Sequence, residues 1–347
     1  ECENKFSTGG IEMKIKSTAP MRVDLAGGTL DIYPLYLFTE GGLTVNAAVT
    51  QMSEATVETR SDSEIHITAD DLGETVSARD ADSLEIGKGL DLLVRIVKFY
   101  KPSAGLNIHT RNHVPKGSGL GASSSLLIAL SHAMNYVNKS GFSGEEIINF
   151  GANLEAQSIR VPTGKQDYYS ATYGGISSIW FEVQGPRREE TVRSGEILKE
   201  LEERLVVCFA GEPRFSGTSN WRMFRAYIDG DERTVKNIGQ IKRTALALRH
   251  SLMKGNLDAF GDLIGEEWEN RKGLAEGVTN EEIDGMMKIA SEAGAVASKI
   301  CGAGGGGSMI SFCKPGAKAA VEAALKSAGV TVFDCSIARE GVKVTEI

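Results

Sequence analysis

Pro115-Lys-Gly-Ser-Gly-Leu-Gly-Ala-Ser-Ser-Ser125 is the stretch around which the rest of the 347-residue chain is read. Glycines fall at alternate positions (Gly117, Gly119, Gly121), serines occupy 123–125, and a helical run follows from Leu126 through Met134. Glycine lets the backbone take positive φ and lets a ligand come close to the main chain. A helix that begins at the serines aims its free N–H groups, and the positive end of its dipole, into that loop. Such a place attracts anions, phosphate above all. The spacing is neither G-x-x-x-x-G-K-[ST] nor G-x-G-x-x-G, so this is a phosphate loop of a third kind. The plainer alternative is a flexible glycine turn before a buried helix.

Working outward, 41% hydrophobic and 24% charged residues describe an ordinary globular chain, long enough for one large domain or two of common size. With Lys+Arg 38 against Asp+Glu 46, the formal charge of −8 argues against nucleic acid or an acidic membrane surface as partner. It leaves room for a small phosphorylated molecule. Five scattered cysteines (Cys2, Cys208, Cys301, Cys313, Cys335) with no C-x-x-C pair suit a reducing compartment. No run of about 18 apolar residues suggests a membrane span. Residues 1–12 read as a loose polar tail without a signal pattern. A cytoplasmic location is expected.

Strand patterns are expected at Lys14–Ser17, Thr44–Ala48, Ala55–Thr59, Glu64–Ala69, Gly105–Thr110 and Gly174–Glu182. Helices are expected at Asp91–Tyr100 and at Ser143–Arg160, the latter opened by Ser143 with Glu145 and Glu146 in its first turn. Gln184–Arg188 reads as a break, after which helices dominate: Ile197–Arg204, Glu232–Gly255, Leu257–Asn270, Asn280–Ala293 and Lys318–Ala328. Strands at Leu205–Ala210, Gly307–Phe312 and Thr331–Cys335 lie between them. The expected architecture is α+β in two lobes, 13–185 and 186–347.

Three further stretches carry chemistry. In Ala19-Pro-Met-Arg-Val-Asp-Leu-Ala-Gly-Gly-Thr-Leu-Asp31, Arg22 and Asp24 share one side of a strand, and Asp31 follows a glycine turn, placed to accept sugar hydroxyls. An Asx-type turn with a surface arginine is the equal alternative. Glu155, near a helix end, and Asp167, in the loop after it, make a carboxylate pair. One carboxylate can ligate Mg²⁺ while the other orients or deprotonates a hydroxyl. Lys299-Ile-Cys-Gly-Ala-Gly-Gly-Gly-Gly-Ser308 formally matches G-x-G-x-x-G. An apolar strand follows it in place of a helix, which favours a hairpin packed close to a ligand or to the first glycine loop. His132 reads as a packing residue, and Trp180, Trp221 and Trp268 as core or lobe-interface residues.

The three glycine stretches, in this order, resemble the three motifs of the GHMP kinase superfamily (galactokinase, homoserine kinase, mevalonate kinase, phosphomevalonate kinase). Pro115–Ser125 is similar to the second motif, P-x-x-x-G-L-[GS]-S-S, Ala19–Asp31 to the first and Lys299–Ser308 to the third. The likeness is strongest to the D-glycero-D-manno-heptose phosphate kinases, with fucokinase and galactokinase domains next. It implies a first lobe with a left-handed β-α-β unit of the ribosomal S5 domain 2 type and a ferredoxin-like second lobe.

It also implies site residues. Lys116, Gly117, Ser118, Gly119, Leu120, Gly121, Ala122, Ser123 and Ser124 would wrap the ATP triphosphate, with Ser123 and Glu155 on Mg²⁺. Asp167 would face the attacking hydroxyl with Arg22 beside it, and Asp31, Gly28 and Thr29 would hold the sugar. Gly304 and Gly305 would cover it. Two departures stand out: Ala26-Gly-Gly-Thr-Leu-Asp31 where the heptose kinases read A-G-G-G-T-D, and Ala122 for a common serine. The expected protein is an ATP-dependent sugar or sugar-phosphate kinase, heptose phosphate favoured, acting as monomer or homodimer. Fucokinase- or galactokinase-like activity, a mevalonate-type kinase and a non-catalytic ligand sensor are the alternatives. Loops between about residues 50 and 100 are expected to build the adenine pocket, and Lys165 and Arg214 are candidates for a second anion site.

Overall fold

The computed structural model describes residues 13–211, 216–302 and 304–347. The tail 1–12, Arg214 and Ala303 lie outside the described residues.

The first lobe is a sheet with helices on one face. Strand β1 (Lys14–Ala26) is followed by the single turn α1 (Leu35–Phe38) and the long strand β2 (Gly42–Thr59). Strands β3 (Ile65–Ala69) and β4 (Glu74–Ala78) precede helix α2 (Asp91–Tyr100), as expected from the sequence, and β5 (Leu106–Asn112). Helices α3 (Ala122–Val137), α4 (Gly144–Ile159) and α5 (Gln166–Tyr173) come next, then the hairpin β6 (Ile176–Glu182) and β7 (Gly185–Val192). The stretch read as a break at 184–188 is therefore a hairpin, and this sheet runs on past residue 185. Pro186 sits near the start of its strand, where a missing N–H costs the ladder little.

Thr44–Ala48 and Ala55–Thr59 prove to be two halves of one strand. β2 pairs along its length with β1, while on its other edge its first half meets β6 and its second half β5. A register shift at Pro20/Met21 absorbs the proline of β1. Helix α3 is apolar nearly all round, the mark of a buried helix. It packs with α2, α4 and α5 over the sheet in one core that includes Val57, Ile96, Leu127, Leu130 and Ile148.

The second lobe contains α6 (Gly195–Arg204), β8 (Leu205–Phe209), α7 (Ser216–Ile228), α8 (Glu232–Lys254), α9 (Leu257–Lys272) and α10 (Glu281–Glu292). Strands β9 (Ala295–Ile300) and β10 (Ser308–Cys313) flank the third glycine stretch, followed by α11 (Lys318–Ser327) and β11 (Thr331–Phe333). The sheet order β11-β8-β10-β9, antiparallel throughout, is the ferredoxin-like arrangement. The last strand, β12 (Lys343–Glu346), returns to the first lobe and pairs with β1.

A shared core joins the lobes: Met21, Val23 and Leu25 of β1 pack in the same cluster as Phe260 and Ile264 of α9 and Phe312 of β10. Trp268 is buried, and Trp180 is half-buried beneath Arg187 and Arg249, the latter from α8. Trp221 departs from expectation. It is 54% exposed, because α7 lies on the surface and turns Met223 and Phe224 inward instead. His132 is a packing residue, its pKa pushed down to about 4 by burial. Among the described residues no helix is long and apolar enough to cross a membrane.

Candidate active site

β1 delivers two charges to the junction of the lobes and then turns sharply. Arg22 and Asp24 point the same way from the strand, but they serve different partners. The Arg22 guanidinium forks onto Asp167, with Nε 2.7 Å from Oδ1 and Nη2 2.9 Å from Oδ2, and its Nη1 donates to the Gly119 carbonyl at 2.6 Å. Burial opposes the arginine charge, and Asp167 outweighs it, so its pKa is raised. Asp24 lies completely buried against Lys299 and Arg271.

The turn after β1 is tight. Gly27 has φ +82°, and a Cβ on Gly28 would strike the Asp24 carboxylate. Asp31 closes the turn, accepting from the Thr29 N–H at 3.1 Å and the Gln166 N–H at 3.0 Å. Burial pushes its pKa up to about 6.

Asp167 stands in the first turn of α5, not in a loop. The eight-residue helix is held by buried Tyr168 and Tyr169 rather than by an N-cap side chain. Gly121 packs directly on it: a Cβ there would come within 2.8 Å of the Asp167 Oδ2. The Asp167 carboxylate and the glycine loop are thus in contact.

Within that loop Gly117, Gly119 and Gly121 have φ of 77°, 70° and 73°. Gly121 occupies the N-cap of α3, leaving the first N–H groups of the helix without intrahelical partners. Ser118 and Leu120 are buried, and the Leu120 carbonyl accepts the Arg22 N–H at 3.0 Å. Lys116 and Ser123 are exposed. Ser124 donates to Glu155 Oε2 at 2.7 Å, the Tyr168 hydroxyl donates to the same oxygen at 2.5 Å, and the Ser123 hydroxyl also helps to hold this carboxylate. Burial raises the pKa of Glu155.

The third glycine stretch lies back to back with the first loop. A Cβ on Gly119 would meet the Cys301 carbonyl at 3.0 Å, and one on Gly307 the Ser118 carbonyl at 3.2 Å. Gly302 reaches the cleft, whereas Gly304 and Gly305 pack on Gly277 and Val278, where the Gly305 N–H donates to the Val278 carbonyl at 2.8 Å.

Two hollows flank Ile159. One, of about 220 Å³, is polar and holds Arg22, Thr29, Asp31 and Asp167. The other, of about 430 Å³, is lined by Leu72, Leu90, Leu93, Val114, Lys116 and Ser123. Lys165 is not free for the first hollow: its Nζ donates to Asn149 of α4 at 3.0 Å, and burial lowers its pKa. Residue types alone did not single out Tyr168, Glu267 or Arg271. The one available signal was the i,i+4 spacing of Glu267 and Arg271 on a helix.

The family descriptions "GHMP kinases N terminal domain" and "GHMP kinases C terminal" match residues 91–175 and 248–331. The D-glycero-alpha-D-manno-heptose 7-phosphate kinase of Campylobacter jejuni is 30% identical over 339 residues, 95% of this chain and 98% of that protein. The chain belongs to the GHMP kinases. As such it is an ATP-dependent phosphotransferase acting on an alcohol group. This GHMP kinase is also 29% identical to the bifunctional fucokinase/GDP-fucose pyrophosphorylase of Arabidopsis thaliana, over 88% of the chain and 30% of that longer protein. Its fold matches the crystal structure of a D-glycero-D-manno-heptose 1-phosphate kinase from Bacteroides thetaiotaomicron with a TM-score of 0.79 and 26% identity, covering 96% of this chain and 99% of that one. The two-lobed architecture expected from the glycine motifs is the one found.

Proposed function

We propose that this GHMP kinase transfers the γ-phosphate of ATP to a hydroxyl of a sugar phosphate, with heptose phosphates as the first acceptors to try. The observation that carries the reading is the polar hollow in which Asp31, Arg22 and Asp167 converge directly beside the glycine loop. Full-length similarity to a heptose 7-phosphate kinase supports the acceptor class.

Phosphoryl transfer depends on positioning and charge neutralisation more than on covalent chemistry. In this reading the loop amides of 117–121 and the α3 N-terminus hold the triphosphate. The adenine lies in the larger hollow, whose walls come from residues 69–72 and 90–93 as well as from the loop. Asp167, gripped by Arg22, accepts a hydrogen bond from the attacking hydroxyl, and Asp31 orients the sugar. Ile32, Val161, Pro162, Phe224 and exposed Trp221 form an apolar rim beside the polar hollow, and the first three line both. Glu155 fits a magnesium ligand, since a hard cation takes one or two carboxylates and the two shortest bonds from the fold, from Ser124 and Tyr168, both go to Oε2. Bound Mg²⁺ would offset charge on the phosphates, with Ser123 exposed nearby at the start of α3. The buried cysteines Cys208, Cys301 and Cys313 are free thiols, consistent with a reducing cytoplasm.

An ADP-release assay over free sugars, sugar phosphates and mevalonate tests the reading. Turnover with heptose phosphates in preference to free sugars is expected. Turnover confined to mevalonate would overturn the acceptor class, and ATP binding without turnover on any acceptor would favour a ligand sensor.

A further inference from the structure

Beneath the turn that carries Asp31 lies a second charge constellation, which the transfer reaction as described leaves unused. Asp24 of β1, Glu267 and Arg271 of α9 and Lys299 of β9 are all buried. Lys299 Nζ is 3.0 Å from Glu267 Oε2 and 3.3 Å from Asp24 Oδ2. Arg271 Nη2 is 2.5 Å from Glu267 Oε1 and 3.7 Å from Asp24 Oδ2. Against the pull of burial, Arg271 and Lys299 hold the Glu267 carboxyl well below the usual carboxylate range. A buried, balanced quartet is a weak device for stability, because well-packed apolar side chains of similar volume often do as well.

What distinguishes this quartet is its outlet. Arg271 Nη2 donates to the Gly28 carbonyl at 2.9 Å, and Nη1 to the Thr29 hydroxyl at 3.4 Å. Thr29 has φ 86°, a conformation a β-branched residue adopts only when its surroundings impose it. From that conformation the Thr29 N–H reaches Asp31 Oδ1.

We propose that Arg271 is a positioning residue: from the second lobe it clamps the strained turn Gly28–Thr29 and so aims Asp31 into the acceptor hollow. Glu267, Lys299 and Asp24 hold Arg271 itself in register. The consequence for acceptor recognition rests on the reading that Asp31 binds the acceptor.

Arg271→Lys keeps the charge and loses the fork, since a single ammonium cannot serve Glu267, Gly28 and Thr29 together. Thr29→Val removes the hydroxyl while leaving the quartet intact. With D-glycero-D-manno-heptose 7-phosphate as probe, Arg271→Lys is expected to raise the acceptor KM at least about tenfold while the ATP KM moves less than about twofold. The Arg271→Lys/Thr29→Val double variant should be no worse than the worse single. Equal shifts in both KM values, an unchanged acceptor KM, or effects that multiply would overturn the proposal. Hydrogen exchange at the Thr29 and Gln166 amides, both bonded to Asp31, needs no substrate. It should accelerate in Arg271→Lys while the amides of α3 stay protected, and unchanged exchange would overturn the clamp. Failure of the wild type to phosphorylate any sugar would count against the proposed function, and the exchange experiment would still judge the clamp. Should Arg271→Lys fail to fold, Thr29→Val alone decides by the same KM and exchange readouts.

Discussion

Replacing Asp167 by Asn tests the centre of the site, because two separable losses are expected from one change. The side chains of the Arg22–Asp167 pair are 6% and 19% exposed, and the guanidinium meets both carboxylate oxygens. Removing one partner of a buried pair costs about 3–5 kcal/mol, and the partial exposure of Asp167 places this case near about 3. Unfolding entropy of about 2.1 cal/mol/K per residue gives about 0.7 kcal/mol/K over 347 residues. The Tm of Asp167→Asn should therefore fall by about 4 °C. Turnover should fall about 10²–10⁴-fold, the usual worth of a general base. Adding Arg22→Gln removes the stranded cation, so the double variant should regain most of the lost Tm, less the donor that Gly119 loses, while recovering no activity. The assays are ADP release at saturating substrates and a thermal melt of the same preparations. Near-normal turnover in Asp167→Asn would refute its proposed catalytic role, and a double variant destabilised by the sum of the singles would refute the pairing argument.

Four further outcomes follow from the same geometry. With the Asp31 pKa at about 6, kcat/KM for the acceptor should fall about tenfold per pH unit below that value, and Asp31→Asn should remove this limb. Because this carboxyl binds its proton more tightly folded than unfolded, its contribution to stability is full below about pH 3.8 and is lost as pH rises through about 6; a melt series lacking that trend would contradict the burial. Gly119→Ala, at φ +70° and 3.0 Å from the Cys301 carbonyl, should raise the ATP KM about tenfold by prising the two glycine loops apart. Gly185→Ala, strained at φ +115° but with open space around its Cβ, should leave that KM alone. Acrylamide quenching of tryptophan emission should fall when the acceptor binds, since Trp221 is exposed while Trp180 and Trp268 are wholly or partly covered; unchanged quenching would remove the apolar rim from the acceptor site.

What was legible in the sequence was whatever depends on local chemistry. The Ser143 and Glu146 capping box is present with both of its hydrogen bonds, and α2 spans the residues its periodicity predicts. The close approach of the two glycine stretches was one of the two readings the glycines allowed, a bound ligand being the other, and the structure shows the two backbones in contact. Features decided by tertiary pairing were not. Helix α5 is short and polar, and it exists because Tyr168 and Tyr169 find a buried seat. β2 looks like two strands because Gln51 and Ser53 interrupt its apolar pattern where the strand passes from one neighbour to the other. The partners of the quartet come from Asp24, Glu267, Arg271 and Lys299, and no spacing rule relates β1 to α9 and β9. Their meeting is a property of the closed fold.

The charge balance of the site leads to a requirement that no single residue displays. Among the described residues, three cations (Arg22, Arg271, Lys299) and five carboxylates (Asp24, Asp31, Glu155, Asp167, Glu267) lie around or beneath the polar hollow, all three cations already engaged by carboxylates, and Asp71 and Asp91 line the larger hollow as well. A triphosphate brought to this place meets a net excess of at least two negative charges. The α3 N-terminus contributes the equivalent of only about half a positive charge, and Lys116 is an exposed point charge at the loop's edge. Backbone amides add hydrogen bonds but no net charge. In the proposed reading a divalent cation at Glu155 would bring the cleft back toward neutrality, so turnover should vanish with chelator and return with Mg²⁺ in excess of ATP. Glu155→Gln should raise the Mg²⁺ concentration for half-maximal rate at least about tenfold while the Tm stays level or rises, because burial disfavours the carboxylate that is removed. Full activity of Glu155→Gln at the wild-type Mg²⁺ requirement would mean that the excess charge is offset elsewhere.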